Sequence, residues 1–360
     1  MKNPELSIII TNWNGRIHLS ECFESLRKQT FRDYEILMVD NNSQDDSIEY
    51  TKDNFPEVKI IQSEMNRGYC GGNNLGCESS KGKFILFLNN DTVLHEDCLD
   101  ELVKTLKSAD GEIIGVFPKV KYYKNPQMIN AIGVVWHKRI HWRDHRVGTF
   151  DFGQHKNTEV VFGSIFPALL IKKKEFIAIG MFDESFFAQC EDFDLCYRAN
   201  ILGYRFLIQP KAEILHKYRA TSKELFRPHW HHYFFVRNYM LVFLKNYEMR
   251  NLLKHLPYAF YRYVIKGLMQ SVKRFDYKFL FIYLRIIIYL ILKSPHWMKR
   301  RKQIQSKRVI DDVKLWKDTQ VEEFNPFNYK GRFVYSLLNL RASLNESLQY
   351  EVDGKLYTIK

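Results

Sequence analysis

Over the first 120 residues, short and nearly continuous apolar runs alternate with helix-like segments, one run about every 25 residues. Leu6–Thr11, Glu35–Val39, Val58–Gln62 and Phe84–Leu88 have strand length, and His18–Lys28, Asp45–Asn54 and Gly72–Ser80 carry helical patterns between them. A strand that is apolar on both sides of its pleat must be covered on both faces. Strands of that kind, separated by helices, predict an α/β fold with a mostly parallel sheet flanked by helices. Further strand-like runs follow at Ile113–Val120, Val160–Phe162, Ala168–Ile171, Tyr204–Ile208 and Ala212–Leu215, with a helix over Glu191–Leu202. From about His229 the texture changes to long aromatic, basic helices. The expected division is an α/β domain over 1–225, in halves 1–120 and 121–225, and a mainly helical region over 226–360.

The charge follows the same division. The chain of 360 residues has 54 Lys+Arg against 41 Asp+Glu, a net charge of +13. Residues 1–210 hold 25 basic and 29 acidic side chains, whereas 211–360 hold 29 and 12. A basic surface around the whole molecule is therefore excluded, and with 46% hydrophobic and 26% charged residues so is wholesale disorder. The apolar run Leu6–Ile10 is too short for the apolar region of a signal peptide, so the six cysteines are expected to be reduced, buried thiols of a cytoplasmic protein. Phe279–Leu292 is the most membrane-like stretch, but its 14 residues, with Arg285 at the centre, fall short of the roughly 20 that a span needs. It fits a buried helix or one lying in the plane of an interface.

In open parallel sheets, ligands bind beyond the carboxyl ends of the strands. Here those ends are polar: Thr11-Asn12-Trp13-Asn14-Gly15, Asp40-Asn41-Asn42-Ser43, Asn66-Arg67-Gly68 with Gly71-Gly72-Asn73-Asn74, and Asn89-Asn90-Asp91-Thr92. Any one such cluster is ordinary turn and cap chemistry. Four in succession point to a site for a polar ligand along one rim. The chain has neither the P-loop pattern nor the Gly-rich dinucleotide fingerprint after its first strand.

These residues resemble a known family. Ser7–Gly15, Gln29-Thr30-Phe31, Val39–Ser43 and Asn66-Arg67-Gly68 look like the nucleotide-binding half of family 2 glycosyltransferases with the GT-A fold. Phe182–Phe187, Glu191-Asp192-Phe193-Asp194-Leu195-Cys196-Tyr197-Arg198, Gly203-Tyr204 and His216 resemble the acceptor half, in the same order, over about residues 5–245. Within the family, the bacterial rhamnosyltransferase-like branch that builds surface polysaccharides is the most similar in motif.

The resemblance implies an inverting enzyme that moves a sugar, with rhamnose the implied one, from a nucleotide-diphosphate donor. Asp40 is then expected to receive an N–H of the base, with Thr11, Asn12, Asn14, Asn42 and Asn90 lining the same pocket. Arg67, Gly68 and Asn73 are expected near the diphosphate. A divalent cation, Mg²⁺ or Mn²⁺, is implied at Asp91, with Asn89 standing where the family's Asp-x-Asp signature has its first carboxylate, and His216 as a further ligand. The resemblance assigns Asp192 the general base, with Glu191 as the alternative, while Asp194 is expected to pair with Arg198 four residues on.

Residues 211–310 hold 22 basic and only four acidic side chains, interleaved with aromatics such as Tyr233-Phe234-Phe235 and Tyr258–Tyr263. Aromatic and basic residues together suit nucleic acid, but the long apolar faces favour an anionic membrane surface, with Lys299-Arg300-Arg301-Lys302 against the headgroups. No nucleic-acid partner is expected. The expected partners are a nucleotide-diphosphate sugar and a glycan or polyprenyl-linked acceptor, on the inner face of the cell membrane. The competing expectation is a non-catalytic membrane-surface assembly protein built on a degenerate transferase domain, which the Asn89 substitution would favour. Trp136, His137, Trp142 and His145 are candidates for stacking on sugar.

Overall fold

The structure, a computed structural model, describes residues 3–137, 141–144, 148–153, 155–217, 228–318, 348–352 and 355–359. The four N-terminal apolar runs are parallel strands: β1 (Leu6–Asn12), β2 (Tyr34–Asp40), β3 (Val58–Gln62) and β4 (Phe84–Asn89). Between them lie α1 (Arg16–Arg27), α2 (Ser47–Asn54) and α3 (Gly68–Ser79). There follow β5 (Thr92–Leu94), α4 (Cys98–Ser108), β6 (Ile113–Tyr122), β7 (Asn125–Ala131), a β8–β9 hairpin (Val134–His137, His141–Asp144), β10 (Glu159–Val161) and β11 (Ala168–Lys172). Helices α5 (Lys173–Ala178) and α6 (Glu191–Ile201) then lead to β12 (Arg205–His216).

One ten-stranded sheet runs in the order β10-β12-β6-β11-β4-β1-β2-β3, with β5 on β12 and β7 on β6. β11 is antiparallel to both β4 and β6, and β12 is parallel to β6, so the carboxyl ends of β1, β2, β4, β6 and β12 share one rim. Successive residues of β1 face opposite sides: Ile8 and Ile10 join the core over α1 and α4, while Ile9 joins the core over α3 and α6. This is the double coverage that the continuous apolar runs demand.

Two element boundaries depart from expectation. α3 begins at Gly68, four residues before the Gly72 expected, because packing of the helix on β1 and β2 overrides the turn preference of its glycines. The expected Tyr204–Ile208 and Ala212–Leu215 are one strand, with a register shift between Gln209 and Glu213. Pro210 lies within that shift, where it has no N–H to give the ladder.

Beyond the sheet stand α7 (Pro228–Asn246), α8 (Met249–Phe260), a π-turn over Tyr261–Ile265, α9 (Lys266–Lys273), α10 (Tyr277–Leu292), α11 (Ser294–Gln305) and α12 (Asp312–Asp318). A hairpin of β13 (Leu348–Val352) and β14 (Lys355–Ile359) follows. The core on the α6 side continues without a break through Tyr197, Tyr239, Phe243, Tyr247, Val264 and Ile286. The change near residue 226 is thus one of surface charge, and the two regions share a core. Arg301, expected against headgroups, is buried and donates to the carbonyls of Leu244 (2.9 Å) and Tyr247 (2.6 Å), capping α7.

All six cysteines are free and buried. Among the described residues no single helix is long and apolar enough to cross a membrane; α10 and α11 qualify only as a pair bent by 60°.

Candidate active site

Three strand ends build the first part of the site. Asn12, at the end of β1, is fully buried; its Oδ1 accepts from Asn90 Nδ2 at 2.8 Å and its backbone carbonyl from the Asn41 N–H. Asn14 Oδ1 receives the Gln44 N–H (2.7 Å), while Ser43 Oγ receives the Asn14 N–H (3.0 Å). Asp40, at the end of β2, turns Oδ2 to the Ser43 N–H at 3.1 Å. Its other oxygen, Oδ1, is buried with no hydrogen-bond partner, as are Thr11 Oγ1 and Asn41 Oδ1. Buried polar atoms are nearly always paired, so unpaired ones at a strand-end rim are open to a partner such as water or a ligand's polar groups. Gly72 lets α3 approach this corner: a Cβ there would lie 2.5 Å from Thr11 Cγ2 and 2.9 Å from Asn41 Nδ2.

Several expected pocket residues sit differently. Asn42 is exposed and left-handed (φ 64°), and its neighbour Asn41 takes the buried position. Asn73 is buried with its amide donating back to Tyr69 O (2.9 Å), and Asn74 instead ties α3 to Phe182 and Glu184. The start of α3 is also occupied: Gly68 N–H donates to Asn66 Oδ1 and Cys70 N–H to Phe187 O. Arg67 pairs with Glu184 at 3.3 Å while remaining partly exposed. In α6, Asp194 pairs with Arg198 as expected, at 2.8 Å.

The pairing of β5 with β12 sets Thr92 opposite His216, which brings Asp91 beside the imidazole. Asp91 Oδ1 and His216 Nε2 are 3.4 Å apart, both side chains nearly buried. His216 Nδ1 lies 2.9 Å from Asn130 Oδ1. An amide oxygen only accepts, so Nδ1 carries a proton and Asn130 orients the ring with Nε2 toward the carboxylate. Burial works against the charge on Asp91, but the facing His216, by charge and hydrogen bond, and His18 hold its carboxyl below the usual range. A carboxylate and an imidazole nitrogen set side by side in this way, with the imidazole oriented from behind by Asn130, are groups suited to a divalent cation. Asn89 ends β4 with its carbonyl taken by Thr92 Oγ1 (2.6 Å). Among the described residues no group of three or more His, Cys, Asp and Glu forms a metal cluster. The protein thus offers one carboxylate and one imidazole, a set that leaves further positions to phosphate oxygens and water. Nothing in the spacing of β7 marks Asn130, so this residue escapes a reading of the sequence.

Glu191 and Asp192 open α6. Asp192 Oδ1 accepts the Phe193 N–H at 2.8 Å. Burial pushes the Glu191 carboxyl up to about 7, against the backbone N–H groups of Glu191 and Gln189, and its Oε2 has no hydrogen-bond partner. The segment leading into the pair is contorted. Phe187 (φ 64°, ψ −64°) centres a γ-turn closed by Ala188 N–H to Phe186 O at 2.8 Å, and Gln189 (φ 77°) and Cys190 (φ 64°) are also at positive φ. Such conformations cost non-glycine residues roughly 1–3 kcal/mol each. The side chains of Trp136, His137 and Trp142, and the whole of His145, lie outside the described residues.

Residues 7–175 match the family model "Glycosyl transferase family 2". The match covers just under half of the chain, and over that stretch the chain is similar to family 2 glycosyltransferases. An amylovoran biosynthesis glycosyltransferase of Erwinia amylovora is 22% identical over 59% of this chain and 70% of its own length. A GalNAc(5)-diNAcBac-PP-undecaprenol β-1,3-glucosyltransferase of Campylobacter jejuni is 28% identical over 31% of this chain. That match spans 38% of the Campylobacter protein, and a putative glycosyltransferase of Bacillus subtilis, 34% identical, is likewise matched over only 31% of its length. Among solved structures, GalNAc-T7 with UDP, GalNAc and Mn²⁺ superposes with a TM-score of 0.57 over 81% of this chain and 58% of its own, at 18% identity. Staphylococcus aureus TarS superposes with a TM-score of 0.52 over 98% of this chain and 95% of its own, at 15% identity. These likenesses show the GT-A fold.

Proposed function

We propose that the chain transfers a sugar from a nucleotide-diphosphate donor to a glycan or polyprenyl-linked acceptor, with inversion, in the building of a surface polysaccharide. The observation that carries this is Asp40: a buried carboxylate oxygen left unpaired, beside equally unpaired Thr11 Oγ1 and Asn41 Oδ1. Such an oxygen is suited to an N–H of a pyrimidine base. Relatives named for amylovoran, O-antigen and undecaprenol-linked glycan synthesis support the polysaccharide context. Rhamnose is the sugar that the motif resemblance favours.

Asp91 and His216 would hold a Mg²⁺ or Mn²⁺ ion. When bound, such an ion neutralises charge on the departing diphosphate. Asp192, in the first turn of α6, takes the proton of the acceptor hydroxyl, whose oxygen then attacks the anomeric carbon from the side opposite the leaving diphosphate. One displacement assisted by one base inverts that carbon. Glu191 is the second carboxylate within the pair.

The enzyme is addressed to the inner face of the membrane through α10. Its inner face (Ile282, Tyr283, Ile286, Leu290) is buried, yet Phe281, Leu284, Ile288, Ile291 and Leu292 on the outer face are 44–71% exposed. Exposed Lys278 and Lys293 stand at its two ends, which suits a helix lying in an anionic interface. Co-sedimentation with anionic vesicles measures this.

The donor reading is tested by thermal unfolding in the presence of a panel of nucleotide sugars, with and without Mn²⁺. A pyrimidine nucleotide-diphosphate sugar is expected to raise the midpoint by several degrees at saturating concentration. Asp40→Ala should lose most of that gain. No stabilisation by any member of the panel would overturn the reading in favour of a non-catalytic protein.

A further inference from the structure

The backbone between Ser185 and Cys190 is held by one helix from outside the family 2 match. Asn238 of α7 donates its side-chain amide to the carbonyls of Phe186 (2.9 Å), Ala188 (2.8 Å) and Gln189 (2.7 Å). Its neighbour Arg237 donates Nη2 to the carbonyls of Ser185 and Phe186, both at 2.8 Å, and Nε to Asn238 Oδ1, also at 2.8 Å. Both side chains are buried. Phe234, one turn earlier, stacks on Phe187 with centroids 5.3 Å apart and planes 18° apart. From the other side, Phe187 O receives the Cys70 N–H at the start of α3.

Five carbonyl contacts from two adjacent side chains converge on a stretch in which Phe187, Gln189 and Cys190 all have positive φ. Left to itself such a stretch would relax, since non-glycine residues disfavour these conformations. Relaxation would swing the backbone that ends directly in Glu191 and Asp192.

We propose that Arg237 and Asn238 are positioning residues, which lock the positive-φ backbone at Phe187, Gln189 and Cys190 and so aim the Glu191–Asp192 pair at the acceptor. This rests on the reading of that pair as the source of the base. The basic helical region is on this account part of the catalytic apparatus as well as an address.

The test uses the full-length chain. Asn238→Asp keeps the shape, removes both amide donors and sets a carboxylate against three carbonyls. It is expected to lower kcat at least about 30-fold while the donor KM and the nucleotide Kd change less than about threefold. Hydrogen exchange across 185–190 should rise in the same variant, a readout independent of activity. In an Asn238→Ala background, adding Gln189→Gly, which holds positive φ without steric cost, should recover kcat at least about fivefold. An unchanged kcat in Asn238→Asp, an equal loss of donor affinity, or no recovery from the glycine would each overturn the proposal. Full activity in both Asp192→Asn and Glu191→Gln would instead remove the reading of the acidic pair. The exchange result would stand in that case.

Discussion

Glu191 and Asp192 are adjacent carboxylates in unlike surroundings. Asp192→Asn removes the proposed base while keeping the Oδ1 that caps the Phe193 N–H. Transfer is expected to fall by roughly 10²–10⁴-fold with nucleotide binding intact by calorimetry, and full turnover in this variant would sink the assignment. Glu191 has a signature in stability. Its carboxyl, raised by burial to about 7 from a reference of 4.5, stays protonated in the folded chain where the unfolded chain has ionised. The stabilising contribution is fully present below about pH 4.5 and is lost as pH rises through 7, a span worth up to roughly 3 kcal/mol. Tyr69 and Cys70 of α3, with Cys190, are titratable groups that sense its charge. Urea denaturation from pH 5 to 8 should therefore show Glu191→Gln gaining on the wild type as pH rises. Parallel curves would show that burial does not hold the proton there.

At the scale of elements, α7 joins the two regions through ions as well as carbonyls. Lys245 is buried and lies 2.5 Å from Asp183 and 3.0 Å from Asp194, while Asn246 donates to Asp194 at 2.9 Å. Burial alone would raise the Asp183 carboxyl, but Lys245, by charge and hydrogen bond, drives it far below the usual carboxylate range. Lys245→Met leaves two buried carboxylates with one cation fewer between them. A loss of about 3–5 kcal/mol is expected in chemical denaturation. A loss under 1 kcal/mol would mean that the carboxylates find water or another cation. A similar cluster, Lys119 and Lys121 with Asp151 and Glu213 at 2.6–3.0 Å, fastens the segment around Asp151 to β6 and β12.

For the whole molecule, the distribution of charge matters more than its sum. The α/β part is slightly acidic, and the excess of basic residues lies in the last 150 residues, where one face of α10 is apolar and open. Leu284→Asp combined with Ile288→Asp places two acids on that face and away from the core. Binding to vesicles containing anionic lipid is expected to fall at least about tenfold, while nucleotide-sugar stabilisation is kept. Equal binding by the double variant would move the membrane contact elsewhere.

The periodicity of apolar runs by itself determined a mostly parallel sheet covered on both faces, because a strand without polar alternation has no face to give to water. The polar strand ends likewise pointed to the rim, with Asp40 and Asp91 on it, while the Glu191-Asp192 pair was singled out by the family resemblance alone. Only the tertiary structure decided that Asn41 and not Asn42 is buried beside Asp40, since the left-handed turn at Asn42 reverses which amide faces inward. It also brought Asn130 behind His216 and Asn238 over the 186–189 carbonyls, across separations of 86 and about 50 residues. Local sequence reports what a segment prefers on its own. Contacts between distant segments form only when the shared core closes, and here that core runs from the sheet into the basic helices.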